Sequence, residues 1–552
     1  MTAAVAVEGG GNKGFTAGLL DGIERLGNKV PHPAIMFFYL ILFVIVLSHV
    51  LFVLGVSVTE DIAVPVPIAV DPNYYEDTVQ PGVYGPGMTD LYGDDFEIKT
   101  QTIAIQSLLT VEGIRFIFTS FVANFAGFGV VAVTFIAMMG AGVAEGAGLM
   151  NALIRKLVAV SPRGMLSFIL IMVGVLSSVA TDAGYLILIP LGAAAFASVG
   201  RHPLAGMAAC FAGVGSIFGV NLILSPSDAM ITEITNEAIG LIPGQAPITI
   251  VSNWFFAIAC SIILAIVAAV LTERVIEPRL GPWKPAGDHV EEDHTPEAAS
   301  KESRGLKFAG IAFLISIVVV VLLTAPSGAP LRDPLTGDII GATPFMDSLL
   351  FIIAMLFLVS GIGYGVGAGT FKSSTDVAMA VTKTFNGLGG LMFMLLMIAQ
   401  FIAFFNFSRI PNVLAITLAE FLEHAGIGAI PLLVGLILVI ALLDIIMPGL
   451  VPKWAIFAPI FVPLFVQLNI PPQTVLAAYR VGDSPLNTVT PLMVYLPFVV
   501  TIAQRYKPES GIGTIIALMI PYALVLLVVW IVIFVLWYVI GLPLGPGYPV
   551  TI

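Results

Sequence analysis

The chain has 552 residues, of which 58% are hydrophobic and 11% are charged, and its formal net charge is −12. Soluble domains carry about 25% charged residues, so this composition leaves too little polar surface for a water-soluble protein of this length. An ordinary soluble enzyme, a nucleic-acid-binding protein and a disordered chain are therefore excluded, and a protein that crosses a membrane many times is indicated. Six His and two Cys are too few to suggest a His/Cys metal centre, a haem or a disulfide scaffold.

Apolar segments recur along the whole chain after a polar beginning. Residues 1–33 contain no secretory signal pattern, and their basic residues predict a cytoplasmic N-terminus. Nine segments are long enough to cross the bilayer, at 34–58, 113–148, 203–224, 251–272, 307–325, 346–367, 384–408, 473–500 and 514–541. Nine crossings place the C-terminus outside, and most Lys and Arg residues then lie in cytoplasmic loops. The segment 58–100 carries nine acids and one base, which predicts a solvated loop outside the cytoplasm.

Two further apolar stretches, 164–200 and 431–469, are interrupted by Gly, Pro or charged residues. We predict that each is a re-entrant helical hairpin, and two complete spans in each stretch is the alternative. The hydrophilic segment 273–307 is predicted to be a flexible cytoplasmic linker. It separates a first half, 34–272, from a second half, 308–552. The predicted fold is therefore an all-α membrane protein with nine transmembrane helices and two hairpins.

The two halves resemble each other weakly in sequence. At an offset of 269 residues the matching pairs include Pro190 and Pro459, Pro203 and Pro472, and Gly213 and Gly482. Each unit runs from a helix through a hairpin to an interrupted helix, and five crossings separate corresponding helices. The copies are therefore predicted to be inverted in the membrane. Inverted repeats with broken helices are typical of secondary transporters, whose sites lie near the membrane midplane.

Charged residues within apolar segments cost about 2.5–3.5 kcal/mol each on insertion scales, so they mark candidate sites. In the first hairpin, the motif SSVATDAGY contains Thr181 and Asp182, which suit Na⁺ or a proton, although a solvated turn is the alternative. In the second hairpin, Asp444 ends a long apolar run. Lys453 is predicted to extend to the membrane interface, and Trp454 either stacks on an aromatic ligand or anchors the hairpin.

The motif AAYRVGDSPLNTVTPL forms the last interrupted helix. Arg480 and Asp483 are three positions apart and can pair on one helix face, and Arg480 suits a substrate carboxylate. A purely structural ion pair is the alternative. The helix is then predicted to unwind at Ser484-Pro485 and at Pro491, which exposes backbone carbonyls, and Asn487, Thr488 and Thr490 add neutral ligands. In the corresponding motif of the first half, VNLILSPSDAM, a loop role and a site role are both open for Asp228.

These motifs are similar to those of the AbgT family, the aminobenzoyl-glutamate transporters. The matching stretches are GNKVPHPAIMFFYLIL, GVAEGAGL, ATDAGYLILIPL, SPSDAMITEIT, KWAIFAPIFVPL and AAYRVGDSPLNTVTPLM. The resemblance implies a homodimer with nine transmembrane helices and two hairpins per subunit, and an elevator-like motion of a transport domain. It also implies import of p-aminobenzoyl-glutamate or export of sulfonamide antimetabolites, coupled to an ion gradient across the inner membrane.

By motif, the resemblance carries the site acids of the family onto Asp182 and Asp483, with further site residues at Trp454, Pro472, Arg480 and Pro491. Two positions depart from the family pattern, because Asp444 stands where Asn is usual and Val451 where Ser is usual. Together with the polar clusters, this predicts a substrate site formed by Trp454, Pro472, Arg480, Asp483, Asn487 and Pro491. The predicted ion-coupling residues are Thr181, Asp182, Asp444, Asp483, Ser484 and Thr488, with a candidate Na⁺ site at Asp182, Asp444 and Asp483.

The functional expectation is a secondary transporter of a small anionic substrate, with Na⁺ or H⁺ as the coupling ion and no cofactor. A Na⁺-coupled di- or monocarboxylate transporter is the alternative. An intramembrane enzyme is disfavoured because the sequence contains neither HExxH nor GxSxG, and a P-loop motif for a nucleotide-driven motor is also absent. The expected partners are the small-molecule substrate, the lipid bilayer and a second copy of the chain, without nucleic acid.

Overall fold

The structure is a computed structural model, and the residues it describes are 33–67, 92–159, 162–177, 184–242, 244–283, 296–340, 343–424, 428–490 and 492–551. Three predicted site residues, Thr181, Asp182 and Pro491, lie outside the described residues. The same holds for nearly all of the predicted cytoplasmic N-terminus and for the middle of the predicted linker.

Helices dominate the described chain. The first half contains α1 (Pro33–Val53), α2 (Val111–Ala126), α3 (Gly129–Ala147), α4 (Leu149–Ala159), α5 (Leu166–Ser177), α6 (Ile189–Ser198), α7 (Pro203–Phe211), α8 (Pro226–Ile239), α9 (Trp254–Leu271) and α10 (Glu277–Leu280). Wider π-helical turns occur at Gly184–Leu188, Ala212–Ser216 and Thr272–Ile276, and a short 3₁₀ turn at Arg163–Met165.

The second half contains α11 (Pro296–Thr324), α12 (Pro344–Ala368), α13 (Ser374–Gly387), α14 (Gly389–Phe407), α15 (Ile410–His424), α16 (Ala429–Asp444), α17 (Leu450–Gln467), α18 (Pro472–Asp483), α19 (Leu496–Tyr506) and α20 (Ile512–Ile540). Helical structure therefore reaches into both ends of the predicted linker, through α10 and the beginning of α11. The hydrophilic composition of that segment indicated exposure to solvent rather than absence of a helix.

Eight helical runs among the described residues are long and apolar enough to cross a membrane. They are Ala34–Val53, Val111–Ala147, Trp254–Leu280, Ser300–Thr324, Pro344–Ala368, Gly389–Phe407, Leu450–Gln467 and Ile512–Ile540. All but Leu450–Gln467 coincide with predicted crossings, and that helix lies in the second predicted hairpin. The two remaining predicted crossings, 203–224 and 473–500, are interrupted helices, as their Gly and Pro content indicated.

The acidic segment after α1 forms an antiparallel ribbon of two strands, β1 (Ser57–Pro67) and β2 (Tyr92–Ala104). The pairing begins at Ser57 opposite Ala104 and shifts register between Pro65 and Pro67. The segment was predicted to be a solvated loop of an all-α protein, and its two strands depart from that prediction. The β-branched residues of SVTEDIAVPVP favour a strand, a signal that the interpretation from charge alone did not use.

The two matched units contain the same order of elements. A pair of helices, α5 with α6 or α16 with α17, is followed by a helix that begins at a proline, α7 at Pro203 or α18 at Pro472. Proline is favoured at this first helical position because its missing N–H has no helical partner to lose. In both units the proline-initiated helix is short. In the first half its α-helical part ends at Phe211 and the π-helical turn that follows ends at Ser216, and in the second half the helix ends at Asp483.

The matched glycines lie at equivalent contacts. A Cβ atom added to Gly213 would lie 2.5 Å from the carbonyl oxygen of Ile171 in α5. One added to Gly482 would lie 2.6 Å from the carbonyl oxygen of Ile437 in α16. In each half the broken helix therefore approaches the first arm of the preceding helix pair so closely that only glycine fits. Small residues allow such close packing of helices in membranes.

Replacing Gly482 with Ala is expected to destabilise the fold by about 1–3 kcal/mol, because the added methyl group overlaps backbone atoms of α16. The matched control is Gly435→Ala in α16, where no atom lies within 4 Å of an added Cβ. This control should be neutral or stabilising by up to about 1 kcal/mol. The measurement is the unfolding midpoint of the purified protein in detergent, and equal midpoints for the two variants would contradict the contact.

The last described residues return to the beginning of α18. Gln473 Nε2 donates to the carbonyl of Pro549 at 2.8 Å, and Thr474 Oγ1 donates to the carbonyl of Val550 at 2.7 Å. Every residue of α18 is buried, although its sequence includes Arg480. The charges that α18 carries must therefore meet partners inside the protein rather than water.

Candidate functional site

A buried charged cluster lies where three helices end or begin. Lys453 pairs with Asp444, and its Nζ lies 2.9 Å from Asp483 Oδ1. All three side chains are fully shielded from solvent. The prediction that Lys453 extends to the membrane interface is wrong, because its place in the first turn of α17 brings it to the ends of α16 and α18.

The cluster has a surplus of negative charge. Asp444 and Asp483 are the last residues of their helices, and the partial negative charge of a helix C-terminus disfavours a carboxylate there. One ammonium group faces two carboxylates, so the net charge is −1. The second oxygen of each carboxylate, Oδ2, has no hydrogen-bond partner among the described residues. These features favour binding of one additional cation at Asp444 and Asp483.

Tyr479 borders the cluster. Its hydroxyl lies 3.0 Å from Asp483 Oδ1 and 2.5 Å from the carbonyl oxygen of Leu450, so it can donate to either. Val451, one of the two positions that depart from the family pattern, is buried beside Leu450 in the first turn of α17. A valine there supplies no hydroxyl group to this edge of the cluster.

Arg480 pairs with the first half of the chain. Its Nη1 donates to Asp228 Oδ1 at 2.5 Å and to the carbonyl of Gly219 at 3.0 Å, and its Nε donates to Asn253 Oδ1 at 3.2 Å. The predicted pairing of Arg480 with Asp483 is wrong, because each charge has a partner on a different neighbouring element. Arg480 Nη2 makes no hydrogen bond to the described residues.

Asp228 is held rigidly at the beginning of α8. Its Oδ2 accepts from the backbone N–H of Ser225 at 2.8 Å and from the Ser225 hydroxyl at 2.6 Å. Together with the bond that the Asp228 N–H donates to Ser225 Oγ, this is a capping box. The open question about Asp228 is therefore answered geometrically, since it is the counter-ion of Arg480.

Trp454 is internal in this conformation. Its ring stacks on that of Tyr479 with centroids 4.3 Å apart, and its Nε1 donates to Thr235 Oγ1 at 2.9 Å. The Trp454 side chain is 0% exposed. The indole ring thus joins α17 to α18 and α8, and a ligand can reach it only when these helices separate.

The breaks of the two interrupted helices meet each other. Ser484 Oγ accepts from the backbone N–H of Gly219 at 2.7 Å, and the hydroxyls of Thr488 and Ser216 lie 2.7 Å apart. Backbone and hydroxyl groups that the breaks release are therefore satisfied across the two halves. Asn487 is also buried in this region.

The structure does not bring Pro472 to the same place. It begins α18, eleven residues before Asp483, which corresponds to roughly 16 Å along the helix. Pro472 is close to the C-terminal residues that contact Gln473 and Thr474. Three residues of the candidate site were not predicted from sequence: Tyr479 borders the charged cluster, Asn253 contacts Arg480 and Thr235 contacts Trp454. The sequence did contain a signal for Thr235. It is seven residues after Asp228, and this spacing places both side chains on one face of α8.

An all-helical bilayer region with buried charges at the ends of broken helices is the architecture of a secondary transporter. The chain belongs to the AbgT putative transporter family, whose model matches residues 18–552. The family prediction is thereby confirmed, and the protein is a membrane transporter of small molecules rather than an enzyme.

Known relatives cover nearly the whole chain. The p-aminobenzoyl-glutamate transport protein of Escherichia coli (strain K12) is 32% identical over 528 residues, which are 96% of this chain and 96% of that protein. The YdaH transporter of Alcanivorax borkumensis has a crystal structure of unusual topology. It matches with a TM-score of 0.81 and 35% identity, covering 94% of this chain and 100% of that chain.

A second solved structure, MtrF of Neisseria gonorrhoeae, is described as illuminating a class of antimetabolite efflux pumps. It matches with a TM-score of 0.82 and 34% identity over 96% of this chain and 100% of that chain. At this identity and coverage the helical architecture of the chain is that of these transporters.

Proposed function

We propose that this transporter moves p-aminobenzoyl-glutamate, or a related small aromatic carboxylate, across the inner membrane and that a gradient of Na⁺ or H⁺ drives it. The observation that carries the proposal is the buried Asp444–Lys453–Asp483 cluster, with its surplus negative charge and its two carboxylate oxygens that no described residue contacts by a hydrogen bond. The similarity to the E. coli protein supports the choice of substrate.

One cation completes the cluster. A Na⁺ ion or a proton on the free oxygens of Asp444 and Asp483 balances the charge, which favours movement of this region through a layer of low polarity. Thr181 and Asp182 of the first hairpin remain predicted ion-coupling residues. The cation and the solute are coupled if each binds more tightly when the other is present.

The anionic group of the substrate is proposed to bind Arg480 through Nη2, with the aromatic ring against Trp454. Arg480 suits this role because a guanidinium group presents several donors to a carboxylate in a fixed geometry. Asn487 and Pro491 remain predicted residues of the substrate site. Efflux of sulfonamide antimetabolites is a second candidate, favoured by the similarity to MtrF.

We also propose the finer architecture that the sequence predicted. It comprises nine crossings, two re-entrant hairpins, inverted repeats, an elevator-like motion, a homodimer, a cytoplasmic N-terminus and an external C-terminus. The equivalent glycine contacts of Gly213 and Gly482 support a structural repeat of the two units.

The test is uptake of labelled p-aminobenzoyl-glutamate by the protein reconstituted in liposomes, with Na⁺ and proton gradients imposed separately. We expect saturable uptake that one of the two gradients accelerates. Competition with unlabelled dicarboxylates and monocarboxylates distinguishes this function from the alternative, a Na⁺-coupled carboxylate transporter. These compounds would fully inhibit uptake by a carboxylate transporter. Uptake that neither saturates nor responds to a gradient would contradict secondary transport.

A further inference from the structure

One face of α8 contacts both residues that are proposed to hold the substrate. Asp228 contacts Arg480, and Thr235 contacts Trp454. Thr232 is four residues after Asp228 and three before Thr235, so helical periodicity places it on the same face between them. Thr232 therefore lies between the residue proposed to bind the anionic group, Arg480, and the residue proposed to contact the aromatic ring, Trp454.

The Thr232 hydroxyl is buried and unpaired within the part of the chain that the structure describes. Its side chain is 5% exposed, and Oγ1 has no hydrogen-bond partner among the described residues. Four other buried hydroxyls, those of Thr134, Thr235, Ser261 and Thr272, donate to the carbonyl four residues earlier, each at 2.7 Å. The buried Ser360 hydroxyl of α12, like that of Thr232, has no partner among the described residues. Thr232 does not make this local bond. A buried hydroxyl left unpaired is unfavourable, so a partner that binds there gains a hydrogen bond at low cost.

We propose that Thr232 is a substrate-contacting residue that determines specificity. Its hydroxyl binds a polar linking group located between the anionic end of the solute at Arg480 and its aromatic ring at Trp454. In p-aminobenzoyl-glutamate the amide occupies that place in the molecule. In the structure α8 is closed onto α17 and α18, so the contact forms when these helices part to admit the solute. This inference rests on the proposed function.

The test compares two ligands on the purified full-length protein by equilibrium binding. One is p-aminobenzoyl-glutamate, and the other is an analogue in which the –CO–NH– link is replaced by –CH₂–CH₂–. Thr232→Val removes the hydroxyl and preserves the shape. We expect its Kd for the amide ligand to rise roughly tenfold, the amount of one neutral hydrogen bond. For the carbon analogue the Kd should change less than about twofold, because that ligand makes no such bond.

Two further variants make the result specific. Thr232→Ser keeps a hydroxyl and should recover most of the affinity for the amide ligand. Thr134→Val removes a buried hydroxyl from α3, at a position outside the site, and should leave both Kd values unchanged.

The possible failures are distinguishable. If Thr232→Val binds the amide ligand as the wild type does, or weakens both ligands equally, the role of Thr232 is refuted while the proposed function stands. If the wild-type protein binds neither ligand, both the proposed substrate and the role of Thr232 are refuted. The unfolding midpoint of each variant shows whether a loss of affinity comes from misfolding. If Thr232→Val is misfolded, Thr232→Ser decides the inference. Weak binding of the amide ligand by a folded Thr232→Ser protein would refute the role of Thr232.

Discussion

Asp444→Asn is expected to make transport independent of the cation gradient. In this variant the Lys453 ammonium group faces a single carboxylate, Asp483, so the buried cluster is neutral without an added cation. The coupling free energy between cation and solute is then lost, which should reduce gradient-driven accumulation by roughly 5- to 150-fold. Exchange of labelled for unlabelled solute at equal cation concentrations should persist. Uptake into liposomes with and without an imposed gradient measures the difference.

A charge-compensated variant provides the sharpest control for this result. Asp444→Asn combined with Lys453→Met leaves one buried carboxylate and no ammonium group, so the net charge of the cluster is again −1. Gradient dependence should therefore return. Asp338→Asn removes an exposed acid and should leave coupling unchanged. Wild-type gradient dependence in Asp444→Asn, or a double variant that stays uncoupled, would show that the charge of the cluster does not set coupling.

Lys453→Met alone is expected to cause the largest loss of stability. It leaves two carboxylates at helix C-termini with no buried counter-charge, and removing one partner of a buried ion pair costs about 3–5 kcal/mol. The measurement is the unfolding midpoint in detergent together with the yield of monodisperse protein. Adding Asp444→Asn to this variant should recover much of the loss.

The matched control for this substitution is Lys383→Met, on the exposed side of α13. Loss of this solvated charge should change the free energy of unfolding by no more than about 0.5 kcal/mol. A stability of Lys453→Met equal to that of Lys383→Met would show that the ammonium group is not needed to hold Asp444 and Asp483 together.

Much of the helical fold was predictable, because the length of an apolar segment is a local property. The predicted segment 514–541 and the observed helix α20 (Ile512–Ile540) agree within two residues at each end. The positions at which helices break were predictable too, since Pro and Gly act on their own turn. The strands β1 and β2 were not predicted because the segment was interpreted from its acidic charge, which indicated a loop, and its β-branched residues were not considered.

The candidate site was predictable in its members and not in its pairings. Arg480, Asp483 and Asp444 were identified because a charge in an apolar segment is costly wherever it lies. Arg480 and Asp228, however, are 252 positions apart, and Ser216 and Thr488 are 272 apart. Sequence proximity instead suggested a pairing of Arg480 with Asp483.

Composition indicated a membrane protein, and Pro and Gly indicated where its helices break. Asp444, Arg480 and Asp483 were marked as site candidates because a charge in hydrocarbon is costly. Which charge pairs with which could be read from the tertiary structure alone. Pairing depends on how broken helices cross, and crossing brings together residues from opposite halves of the chain. Arg480 with Asp228 is such a pair. Within the second half the tertiary structure also decided the place of Lys453 between Asp444 and Asp483, since a lysine beside an apolar run extends to the interface unless the fold supplies carboxylates nearer than water.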